Sequence, residues 1–142
     1  MQKIADKMNV AVPTGNFGNI LAAYYAKQMG VPVKKLICAS NENKVLFDFF
    51  QTGVYDRNRE FHTTISPSMD ILVSSNLERL LYLESGDTGL VAKLMNRLKE
   101  EGKYTVPEDL FRRISSQFWG ASATDAEGQA AIARVYADFG YL

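Results

Sequence analysis

Val10-Ala11-Val12-Pro13-Thr14-Gly15-Asn16-Phe17-Gly18-Asn19-Ile20-Leu21 is the stretch on which the fold of the chain turns. Val10-Ala11-Val12 is a short unbroken apolar run, the pattern of a strand buried on both faces of a sheet. Pro13 to Asn19 is a cluster of turn-forming residues. From Ile20 the apolar period changes: Ile20, Leu21, Tyr24, Tyr25 and Met29 recur at three- and four-residue spacings and predict a helix. Gly30 fits its left-handed stop, and Pro32 bars continuation. Lys35-Leu36-Ile37-Cys38-Ala39 then reads as a second buried strand. Strand, helix and strand have the length of one βαβ unit, which is right-handed and parallel.

Helical patterns dominate the chain after Ala39. Ser40-Asn41-Glu42-Asn43 ends the strand and is placed to cap a helix carrying Val45, Leu46, Phe49 and Phe50, stopped at Gly53. Val54 to Pro67 is polar and irregular. One helix is expected from Ser68 to Ser85, and another after the cap Asp87, ending at Gly102. Pro107 opens a helix with Leu110, Phe111, Ile114 and Phe118 inward, broken at Trp119-Gly120, and a last one runs from Asp125 to Phe139. Ile4 to Met8 reads as the end of a preceding helix. The fold class is therefore α/β: one βαβ unit with a small parallel sheet, followed by several helices. Two strands make a meagre sheet for a self-sufficient domain, so residues 1–142 are expected to be a single partial domain of a longer protein.

The bulk numbers exclude several functions. The chain has 142 residues, 16 basic and 16 acidic side chains, and one each of Cys and His. With no basic excess, nucleic acid is not an expected partner. No apolar run approaches the ~20 residues of a membrane span, and the N-terminus has no apolar signal core, so a cytoplasmic location is expected. A lone Cys38 in an apolar run reads as a buried small hydrophobe, and His62, in a polar loop, as a loop residue. No metal site and no catalytic residue is assigned.

The chemistry concentrates in Gly15-Asn16-Phe17-Gly18-Asn19. At the carboxyl end of a parallel strand this loop faces the crevice where ligands bind. The helix after it offers unpaired N–H groups and the positive end of its dipole. Glycines allow unusual backbone angles and close approach of a phosphate; Asn16 and Asn19 add amide donors or caps. G-x-x-G alone is equally a strand-to-helix turn that needs glycine. It lacks the spacing of a dinucleotide fingerprint and the Lys-Ser/Thr of a P-loop, which leaves a compact phosphate monoester as the ligand if it is a site.

Pro13 to Asn19 resembles the phosphate-binding loop of threonine synthases, pyridoxal-phosphate (PLP) enzymes of fold-type II. Leu36 to Asn43 resembles the family's next strand and its Asn-x-Asn exit. Ser66-Pro67-Ser68-Met69-Asp70-Ile71 and Ser75-Asn76-Leu77-Glu78-Arg79 resemble a stretch of the longer threonine synthases. Trp119-Gly120-Ala121 and Tyr136 to Leu142 resemble the segment before the C-terminal active-site strands. The resemblance covers nearly the whole chain and implies part of the large domain of a fold-type II PLP enzyme. Its reaction would be conversion of O-phosphohomoserine and water to threonine and phosphate, with PLP as cofactor. Carried over by position, Gly15, Asn16, Phe17, Gly18 and Asn19 grip the PLP phosphate, and Ser40 and Asn41 lie near the ring or substrate. Asp70, Asn76 and Arg79 match motif positions without an assigned role, and helix caps or surface pairs explain them as well. The family's cofactor-bearing lysine sits in a Phe-Lys-Asp context, which no lysine here has. The polypeptide alone is therefore expected to be an inactive fragment, with self-association through faces that truncation exposes. A β-replacing synthase or dehydratase on the same fold, and a stand-alone phosphate-binding or interaction module, are the competing readings.

Overall fold

The structure is a computed structural model that describes residues 7–141. Strand β1 (Met8–Pro13) leads through the glycine loop into α1 (Gly18–Gln28), and β2 (Val33–Ser40) comes next. Then come α2 (Val45–Thr52), β3 (Val54–Asp56), a single 3₁₀ turn (Pro67–Met69), α3 (Leu77–Ser85) and α4 (Thr88–Glu101). The chain closes with β4 (Lys103–Thr105), α5 (Glu108–Gln117), β5 (Phe118–Ser122) and α6 (Asp125–Phe139). β1, β2 and β5 form a parallel sheet in that order, with Val12 opposite Cys38 and Cys38 opposite Gly120. β3 and β4 pair as a separate antiparallel ribbon.

The βαβ unit is as the sequence predicts. The third parallel strand is not. Leu110, Phe111, Ile114 and Phe118 keep helical spacing, but α5 ends at Gln117 and Phe118 turns extended (φ −106°, ψ 152°). No turn residue separates helix from strand, so nothing marks the change of period. Met8 belongs to β1 rather than to a preceding helix; Ile4 lies outside the described residues. The helix expected from Ser68 splits into the 3₁₀ turn, an extended link and α3, because long-range polar bonds capture the chain around Thr64, Asp70 and Ser74. Asn41 and Asn43 make no cap for α2, whose N-terminus is Lys44 without a side-chain bond. Asp87 does cap α4, accepting from the Leu90 N–H at 2.9 Å, and Gly102 ends it in the left-handed region.

One face of the sheet builds the core. Leu36, Cys38 and Ser40 of β2 and Phe118 and Gly120 of β5 are buried under α1 and α2. A Cβ on Gly120 would stand 3.1 Å from the Phe47 backbone, so glycine there lets α2 lie directly on the strand. Phe17, Tyr24 and Phe50 gather round Phe118, with centroids 5.4 to 5.8 Å from its ring for Phe50, Phe17 and Tyr24. Such pairs add about 0.5–1.5 kcal/mol each beyond the area they bury.

The opposite face is open. Ala11, Pro13 and Trp119 are exposed, and Ile37, Ala39 and Ala121 half-buried. β1 is thus not buried on both faces as its composition suggests, although parallel sheets are ordinarily covered on both. α6, opened by a capping box of Thr124 and Glu127, carries Ile132, Val135, Tyr136 and Phe139 along one exposed stripe. Among the described residues no helix is long and apolar enough to cross a membrane.

Candidate functional site

Pro13-Thr14 ends β1 with the Thr14 N–H on the Ala39 carbonyl (2.8 Å), the last rung to β2. From there the loop rises at the carboxyl end of the sheet. Its unusual backbone lies at Phe17, the one non-glycine with positive φ (67°, ψ 1°) among the described residues. The glycines at 15 and 18 do not supply that angle. A bulky residue in the left-handed region is strained, and packing holds it there. The Phe17 ring is buried, stacked on Phe50 and tilted against Phe118, so its side chain faces the core and only its backbone faces the cavity.

The glycines serve approach rather than angle. A Cβ on Gly15 would lie 2.8 Å from the Ser68 carbonyl oxygen, so the 3₁₀ turn sits directly on the loop. A Cβ on Gly18 would meet only Asn76 Nδ2, at 3.8 Å. Its space is open in the protein alone, as in a cradle that a ligand fills.

None of the backbone N–H groups from Gly15 to Ile20 has an acceptor among the described residues; the first that does is Leu21, on the Phe17 carbonyl at 3.1 Å. Asn16 and Asn19 make no capping bond to α1. The loop lines a cavity of about 340 Å³ with Ser68, Met69 and Asn76. Consecutive free donors at a helix N-terminus are an anion site in geometry and charge.

The carbonyls of the loop are occupied. Ser74 Oγ donates to the Gly15 carbonyl at 2.8 Å. The Asn76 backbone N–H (3.2 Å) and Nδ2 (2.7 Å) both donate to the Asn16 carbonyl. Ser74 N–H in turn donates to the buried Tyr55 hydroxyl (2.7 Å), which donates to the Leu72 carbonyl (3.1 Å). Burial pushes the Tyr55 phenol up to about 12. Asn76 therefore spends its amide on the loop instead of capping α3, whereas Ser74 and Tyr55 carry no motif signal and escape a sequence reading.

Beside this lies a polar knot. Asp70 accepts from Asn41 Nδ2 (2.6 Å), Asn43 Nδ2 (3.1 Å), Thr64 Oγ1 (2.7 Å) and the Thr64 N–H (3.0 Å). Asn41 Oδ1 accepts from the Asn43 N–H, and Asn43 brackets the His62 peptide. The knot ties the exit of β2 to the segment that carries the 3₁₀ turn over Gly15. The Thr64 N–H above all, then the Thr64 hydroxyl and the two amides, hold the Asp70 carboxyl below the usual carboxylate range.

Ser40 and Asn41 part company here. Asn41 turns its amide into the knot. Ser40 Oγ is the one buried side-chain polar atom without a partner among the described residues. Ser40 lines a cavity of about 320 Å³ next to the loop, with Pro13, Ser66, Met69 and Thr124. Arg79 lies elsewhere, on α3 beside an apolar groove with Tyr25 and Tyr82. Cys38 is fully buried, and burial pushes its thiol up to about 12, which leaves no nucleophile. His62 is exposed on its loop.

Fold and loop together define an α/β unit with a row of free N–H donors where a parallel strand meets a helix. No family model matches the chain. It is similar in sequence and fold to a segment of threonine synthases and threonine synthase-like proteins. It is 47% identical over 137 residues to human threonine synthase-like 1, covering 95% of this chain and 18% of that protein. It is 40% identical over 144 residues to the threonine synthase of Saccharomyces cerevisiae, covering 94% of this chain and 28% of that one. The structure of a PLP-bound threonine synthase from Brucella melitensis superposes with a TM-score of 0.92 at 42% identity, over 97% of this chain and 30% of that chain. The chain thus spans less than a third of the length of each of these relatives.

The two glycines should respond differently to a methyl group. Gly15→Ala should destabilise the protein by about 1–3 kcal/mol through collision with the Ser68 carbonyl, while Gly18→Ala should stay within about 0.5 kcal/mol of the parent; urea midpoints compare them, and equal losses contradict the assignment. Asp70 has a depressed folded pKa, so its contribution is complete above the unfolded value of about 3.9 and fades as pH falls through the folded one. Asp70→Asn should therefore flatten the loss of stability below about pH 4.5, as pH falls through the unfolded value and then the folded one; an unchanged acid slope rules the knot out as a source of acid sensitivity.

Proposed function

We propose that this sequence is part of a threonine synthase, the PLP-dependent lyase that converts O-phosphohomoserine and water to threonine and phosphate. The single observation that carries this is the row of unpartnered N–H groups from Gly15 to Ile20, in a loop that matches the phosphate loop of the family. A phosphate monoester fits it. The N–H donors and the helix dipole favour a dianion, and Gly18 leaves room for its oxygens. In this reading Gly15, Asn16, Phe17, Gly18 and Asn19 hold the cofactor's phosphate through backbone groups, with the Asn side chains at the rim. When bound, PLP supplies an electron sink for the carbanion at the substrate Cα.

In this reading Ser40 and Asn41 lie near the ring or substrate, and the unpartnered Ser40 hydroxyl at the carboxyl end of β2 supports a donor role for it. Asn41 has its amide in the knot with Asp70. The enzyme's location is taken as cytoplasmic and its partner as a small molecule, with neither nucleic acid nor membrane; the balanced charge supports this. No lysine of the chain has the Phe-Lys-Asp context, so the 142-residue polypeptide alone should turn over no O-phosphohomoserine.

The test is a PLP titration followed by absorbance, borohydride reduction and intact mass. Saturable binding without a covalent adduct is expected, weakened in Gly18→Val. A stoichiometric adduct on one lysine, or equal affinity in Gly18→Val, would falsify the assignment of the loop. The open sheet face with Ile37 and Trp119, and the stripe on α6, lead us to propose self-association of the isolated chain as well. Sedimentation should show mass rising with concentration; a monomer throughout removes that part.

A further inference from the structure

An anion cradle needs its N–H groups turned inward and, equally, its carbonyl oxygens turned away. A peptide group is planar, with C=O and N–H pointing in opposite directions. Fixing one carbonyl therefore aims the N–H of the next residue. The Gly15 carbonyl is held by Ser74 Oγ, which directs the Asn16 N–H the other way. The Asn16 carbonyl takes two donors from Asn76, which does the same for the Phe17 N–H. The Phe17 carbonyl is already taken by Leu21 in the first turn of α1. These three successive peptide groups of the loop thus have their negative ends bound.

We propose that Ser74 and Asn76 are positioning residues for the phosphate site: they fix the polarity of the Gly15–Asn16 and Asn16–Phe17 peptides so that N–H groups, and no carbonyls, meet the anion. This rests on the reading of the loop as a phosphate cradle. The clamping segment is itself anchored. Ser74 is buried and its N–H is bound by the Tyr55 hydroxyl, which also holds Leu72. The clamp is set from the aromatic core on β3, not from the loop. Ring burial fixes where Phe17 sits; the clamp fixes how the peptides before it face.

The experiment is a comparison of the parent chain with Ser74→Ala, Asn76→Ala and Ser74→Thr. Affinity is measured for PLP and separately for inorganic phosphate, alongside ¹⁵N order parameters of residues 15–18 and the urea midpoint. Each alanine variant should lose about tenfold in affinity for both probes, the size of one lost hydrogen bond. Order parameters at residues 15–18 should fall while those of α4 and α5 stay. Ser74→Thr, which keeps the hydroxyl, should hold affinity within about twofold. Parent-like affinity in both alanine variants overturns the proposal and leaves the phosphate reading standing. A loss confined to PLP also overturns it, because the clamp serves the shared phosphate. Binding of neither probe by the parent chain sinks the phosphate reading and the proposal with it.

Discussion

The packing of Phe118 against Phe17, Tyr24 and Phe50 is the contact on which the rest hangs. It joins the third strand, the glycine loop, α1 and α2 at one point. Without it Phe17 has no reason to stay at positive φ, a conformation that a bulky residue adopts only under constraint. The same contact explains why Gly120 lies opposite Cys38: a side chain there would lift α2 away and separate Phe50 from Phe118. Core packing and site geometry are thus one problem. The backbone of the glycine loop is shaped by a ring buried directly beneath it.

The legible part of the fold was the part written in local periodicity. Val10 to Ala39 changes period from strand to helix to strand with turn residues at each change, and α4 and α6 have caps and stops. The loop at 15–19 was legible because glycines and asparagines mark it. Each miss had a physical cause. β5 continues from α5 without a turn, and Phe118 satisfies the helical spacing and the strand alike. The helix expected at Ser68 is broken by Thr64, Asp70, Ser74 and Tyr55, whose mutual spacings in the chain announce no pairing. The asparagines after β2 looked like caps, since caps and long-range knots use the same side chains. The positive φ fell on Phe17 and not on a glycine because buried aromatic area outweighed backbone preference.

Similarity to threonine synthases runs along nearly the whole chain, yet the chain corresponds to less than a third of each relative named. Ile37 and Trp119 lack the cover that a parallel sheet usually has on its second face, while α6 displays an apolar stripe that nothing in the described residues covers. At the carboxyl end of the sheet, by contrast, the loop carbonyls from Gly15 to Phe17 are bound, the N–H groups from Gly15 to Ile20 have no acceptor among the described residues, and the Ser40 hydroxyl on β2 is buried without a partner.

The direct join of α5 to β5 has an effect of its own on what changes the chain tolerates. With no linker to absorb slack, the helix sets the phase of the strand. Inserting a single residue between Gln117 and Phe118 would move every side chain of β5 to the other face. Trp119 would be driven into the space that glycine keeps for α2, and Phe118 would be cast onto the open face. Length at this junction is therefore as strictly determined as identity, and gaps in related sequences belong in the polar stretch after β3, where the backbone has room to bulge.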